Sequence, residues 1–150
     1  MSSNYELSIQ KVASVISGLS LSISGNVIVQ DIGDEDLGFT SLPGVTVFPF
    51  GAETLNPSDG ATTVDEIGYP VVVGILDTKG AGASSRDQRL TWRRTMQQAL
   101  QHKKWTDAGF TGQFDTRIEP GPVIDGGLWF RGQKFVSMFT VRVFWRENRL

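Results

Sequence analysis

The stretch Ser85-Arg-Asp-Gln-Arg-Leu-Thr-Trp-Arg-Arg-Thr-Met-Gln-Gln-Ala-Leu-Gln-His-Lys-Lys-Trp105 decides how the rest of the chain is read. Stepped at about 100° per residue, Trp92, Met96, Ala99 and Leu100 fall on one arc, and Arg86, Arg93, Gln97 and Lys104 on the arc beside it. Ser85 and Gln88 have the spacing of a capping box, and Gly109 closes the region. This predicts one long helix from Ser85 to Trp105, laid across a sheet through Trp92, Met96 and Leu100, with a basic strip left free for another partner.

Upstream of that helix lies Ile67-Gly-Tyr-Pro-Val-Val-Val-Gly-Ile-Leu76, a β-branched run that reads as a strand buried on both faces. Between strand and helix, Lys79, Gly80, Gly82, Ser84 and Ser85 form a glycine loop at a helix start, the geometry that presents backbone N–H groups to an anion. The Gly-Lys-Ser/Thr ending of a phosphate-binding loop is missing, and only one strand-helix unit is present. A flexible connector is therefore favoured over a nucleotide site.

Outward from this centre, Tyr5, Ile9, Val12, Ile16 and Leu19 share one helical face and Glu6, Gln10, Ser14 and Ser17 the other, so a first helix is expected over about Asn4–Gly18. A strand or irregular hairpin is expected between Leu19 and Val29, and a strand from Leu42 to Phe50 whose prolines suit an edge strand or strand ends. Residues 51–66 are turn formers and polar groups and read as a long mobile loop or the tip of a hairpin, weighed equally as a binding element and as plain connection. Asp115–Glu119 and Leu128–Phe130 are short strand candidates. Lys134–Arg146 is the clearest strand: Phe135, Phe139, Val141, Val143 and Trp145 alternate with Val136, Met138, Thr140, Arg142, Phe144 and Arg146. The expected fold class is α+β: a single antiparallel or mixed sheet flanked by an N-terminal helix and one long central helix, in one domain over 1–150.

Composition bounds the chemistry. With no cysteine and one histidine, disulfides, thiolate nucleophiles and Cys- or multi-His metal sites are excluded. Asp31-Ile-Gly-Asp-Glu-Asp36 is the densest acidic run, but it lacks calcium-loop spacing and reads as a solvated loop. His102 has no nucleophile near it in sequence, and no serine elbow or metalloprotease pair occurs. No segment approaches the ~20 apolar residues that span a bilayer. The N-terminus lacks the order of a secretory signal, which places the expected working compartment in a cytoplasm or in something assembled there. No catalytic residue, cofactor or metal is assigned.

Charge is unevenly spread. Residues 1–78 carry −9 and residues 79–150 carry +7, within a net −2. Either the acidic loops fold onto the basic helix of the same molecule, or they meet it head to tail across a boundary between identical copies. Arg86, Arg89, Arg93, Lys104, Asp34, Glu35, Asp36, Arg142 and Arg146 are the candidate subunit-interface residues.

The order of these elements, from the N-terminal helix through the strands at Leu42–Phe50 and Val71–Leu76 and the helix at 85–105 to the closing Phe139-Thr-Val-Arg-Val-Phe-Trp-Arg-Glu147, resembles tailed-bacteriophage tail terminator proteins. The related neck and tail-completion proteins share this look. The resemblance implies a virion protein assembled in the host cytoplasm, a homo-oligomeric ring, commonly of six, capping the tail tube and contacting tube and connector proteins, with DNA passing through unread by sequence. A head-completion adaptor or a tail-tube subunit are the near alternatives; an anion- or nucleotide-binding enzyme using Gly80 and Gly82 is the alternative of another class.

Overall fold

The structure, a computed structural model, describes residues 2–31, 42–57, 63–78, 84–124 and 134–148. Two helices, α1 (Asn4–Ser17) and α2 (Arg86–Leu100), and six strands, β1 (Val27–Val29), β2 (Gly44–Pro49), β3 (Thr54–Pro57), β4 (Val64–Thr78), β5 (Gln113–Pro120) and β6 (Lys134–Asn148), make one mixed α+β unit. The sheet order is β1-β2-β4-β6-β5, with β3 also on β4; β1 runs parallel to β2 and every other pair is antiparallel.

The central pair is β4 with β6, in register over fifteen residues from Val64↔Asn148 to Thr78↔Lys134. One side of β4 is shared: β3 takes Asp65–Gly68 and β2 takes Val71–Leu76. Pro70 lies in the gap between these two partners, where a missing N–H costs least. The free carbonyl of Pro70 accepts from the Tyr5 hydroxyl at 2.5 Å.

Alternation along the strands sends Val45, Val47, Val71, Val73, Ile75, Phe139, Val141, Val143 and Trp145 to one face, where they meet Ile9, Val12, Ile16, Trp92, Met96 and Leu100. Burying each of these large side chains contributes roughly 1.5–3 kcal/mol, so this layer holds the helices down. Each helix is capped as its sequence requires: Ser3 accepts from the Glu6 N–H and Ser85 from the Gln88 N–H, both at 3.1 Å. Trp145 donates its indole N–H to Ser8 Oγ at 2.8 Å, tying α1 to β6.

Three expectations need correction. The second helix ends at Leu100 and not at Trp105, because the following backbone bonds sideways to β5: the His102 N–H donates to the Thr116 carbonyl and the Lys103 N–H to the Thr116 hydroxyl. Residues 51–66 are not one loop; β3 and the start of β4 lie inside them, with 58–62 outside the described residues. β5 starts at Gln113, two residues ahead of the expected strand, with an irregularity between Gln113 and Asp115. The candidate strand Leu128–Phe130 falls outside the described residues.

Candidate functional site

The expected basic strip on α2 is not one surface. Arg89 is turned inward: its Nε donates to Asp77 Oδ2 at 3.0 Å and its NH2 to the Thr78 carbonyl at 2.8 Å, and its guanidinium lies 4.5 Å from the Phe135 ring centre. Asp77 is wholly buried at the end of β4. It also accepts from the Thr78 and Ser84 N–H groups. The described part of the glycine loop therefore points donors at a carboxylate of its own chain. Lys79, Gly80 and Gly82 lie outside the described residues.

Arg93 is buried too. Its NH1 donates to Ser137 Oγ at 2.9 Å and the Met138 carbonyl at 2.7 Å, and its NH2 to the Gly121 carbonyl at 3.0 Å. Carbonyl dipoles and the Phe139 ring, 5.5 Å away, take the place of a counter-ion, and burial pulls the guanidinium below its usual range. Arg89 and Arg93 thus clamp α2 to the ends of β4, β5 and β6. Both are internal fasteners of the chain.

The other interface candidates divide. Arg86 and Lys104 are exposed. Arg142 is half-buried, bonded to both carboxylate oxygens of Glu119 and to the Ala52 carbonyl. Arg146 is exposed, 3.4 Å from Glu66 Oε1 and stacked 4.5 Å over Phe114. Asp34, Glu35 and Asp36 lie outside the described residues. His102 is 3.5 Å from Asp115 on the surface. Among the described residues no three acidic, His or Cys side chains converge as a metal site, and no helix is long and apolar enough to cross a membrane.

Among the described residues, two apolar grooves stand out. On the sheet face opposite the helices, Phe48, Phe50, Val72, Pro122, Met138 and Thr140 line a groove of about 350 Å³, with Phe50 69% exposed at its lip. At the end of the β4–β6 pair, Arg86, Arg89, Leu90, Val123, Ile124 and Phe135 line another of about 510 Å³.

Exposed charge is unevenly spread over the sheet edges, with Asp87 the exposed acidic residue of α2. α2 contacts β5, and its stripe Arg86, Leu90, Arg94 and Gln101 faces that edge, where the Gln101 side chain accepts from the Ile118 N–H at 2.6 Å. Arg86, Arg94, Lys103, Lys104 and Arg117 are exposed there, and among the described residues none of them is in an ion pair. α1 lies against α2 and contacts β1, β2 and β4 toward the other side of the sheet. Around that edge the exposed charges are Glu6 on α1, Asp31 after β1 and Glu53 before β3. Lys11, on α1, is half-buried and held by Asp107 at 2.5 Å.

No family model matches this chain, and no curated protein does. The surface itself is therefore the guide. Arg86 and Lys104, named from the sequence as interface candidates, are exposed, and so are Arg94, Lys103 and Arg117, which the sequence reading did not name although all lie in the basic half. Nothing in the sequence marked Asp77 as the inward partner of Arg89, beyond an acidic residue closing a buried apolar run.

Proposed function

We propose that this chain is a structural virion protein of a tailed bacteriophage, one subunit of a closed ring that terminates the tail tube and joins it to the head-tail connector. The observation carrying this reading is the architecture taken with its open surfaces. Both helices cover one face of a single sheet, in the order the resemblance to tail terminators implies, while the opposite face and the end of the β4–β6 pair present apolar grooves. Exposed apolar grooves rimmed by polar groups are where proteins meet proteins. The most concentrated polar constellations among the described residues, around Asp77, Arg93 and Gln113, are consumed in holding elements together.

In this reading the protein works by shape: copies of itself at its sides, tube and connector proteins above and below, and DNA passing through the central opening. A neck adaptor or tube subunit would use the same surfaces with different neighbours. The test is the mass of the purified chain in solution, by light scattering on a sizing column. A closed oligomer of the 16.4 kDa chain is expected; a monomer at every concentration reached, with or without the tube protein, overturns the reading.

A further inference from the structure

Neighbouring copies in a ring meet through two different patches, because a closed ring is built from heterologous contacts. From the charge sorting we infer which patches these are: the acidic β1/β3 edge of one copy, with α1 beside it, seats against the basic β5 edge of a second copy, with α2 beside it. This assignment rests on the ring reading above and adds the surfaces to it.

β1 and β5 stand at opposite ends of the strand order, and among the described residues Arg94, Lys103, Lys104, Asp31 and Glu53 form no ion pair within one subunit. The intramolecular explanation of the sequence's charge asymmetry accounts for Arg89 with Asp77 and Arg146 with Glu66, and leaves these exposed groups over. Complementary edges steer two copies into one register and disfavour like edges meeting, which is what a heterologous contact requires. The edges also differ in their backbone. β5 is sealed along its outer side: Thr116 accepts from His102, and the Ile118 N–H is taken by Gln101. The contact at this edge is therefore made by side chains, with Leu90, Val123 and Ile124 supplying apolar area beside the arginines; each is 44–45% exposed. β1, at the other edge, is only three residues long.

The test uses the full chain in two charge-reversed forms. One carries Arg94→Glu, Lys103→Glu and Lys104→Glu; the other carries Asp31→Lys and Glu53→Lys. All five positions are exposed, so the monomer's thermal transition serves as the check that each form folds. Each form alone is expected to need at least tenfold more subunit for half-assembly, because both of its edges then carry the same sign. Mixing the two in equal amounts, or combining all five changes in one chain, is expected to restore assembly. If wild type forms a ring and either variant assembles unimpaired, or if mixing restores nothing, the edge assignment is wrong while the ring stands. A wild-type chain that stays monomeric overturns both.

Discussion

The buried charges decide more about this molecule than the exposed ones. Asp77 and Arg89 are both withdrawn from water, so each is tolerable only in the presence of the other. Asp77→Ala removes the buried counter-charge of Arg89 and should cost about 3–5 kcal/mol in urea unfolding; adding Arg89→Leu should recover part of that loss. Tyr69 makes a different wager. Burial, together with its 2.5 Å hydrogen bond to Glu147, pushes its hydroxyl well above the ordinary value of 10.0. The folded state then holds the proton after the unfolded chain has lost it. Its contribution is complete below pH 10 and is lost as pH climbs beyond, so stability falls with pH there. Thermal unfolding across pH 9–11.5 should show a steeper alkaline decline in wild type than in Tyr69→Phe. Tyr5, similarly raised by burial and by Glu53, contributes to the slope that remains. None of these couplings is written in local sequence: Asp77 and Arg89 are twelve residues apart and Tyr69 and Glu147 are seventy-eight apart.

The elements were legible where periodicity is strong and a single face is buried. α1, the buried run inside β4 and both faces of β6 follow directly from the spacing of apolar residues, since burial on one side imposes a repeat of 3.6 or 2. The misreadings came where tertiary hydrogen bonds replaced local preference. His102-Lys103-Lys104 carries no helix breaker, yet the helix stops before it because Gln113 offers a better partner. Its Oε1 accepts from the Trp105 N–H at 2.7 Å and its Nε2 donates to the Lys103 carbonyl at 2.8 Å, so one buried side chain pairs with the backbone as a strand would. Gln113→Ala should therefore cost about 2–6 kcal/mol, from roughly 1–3 for each of the two stranded groups. Hydrogen exchange should show the Trp105 amide losing protection first; an unchanged amide would mean that another partner holds this segment. β3 was hidden for a similar reason: Thr54-Leu-Asn-Pro57 has little strand character of its own and pairs because β4 extends beyond β2 and offers it an edge.

At the scale of the whole molecule, the sequence displayed an imbalance of charge but not where it sits. Two strongly charged halves of a chain can neutralise each other in the fold. Here Arg89 with Asp77 and Arg146 with Glu66 do so, and exposed charge remains at both sheet edges. The expected α+β architecture stands. The candidate site is redrawn: Arg86 and Lys104 keep their place, Arg89 and Arg93 become clamps, and Arg94, Lys103 and Arg117 join the basic edge. The most direct test of the ring reading is negative-stain imaging of the purified chain at low salt, with its mass determined on the same sample. Class averages with a central opening and rotational symmetry, at a mass that is a whole multiple of the chain, are the predicted result. Isolated particles of a single chain at every concentration would contradict it.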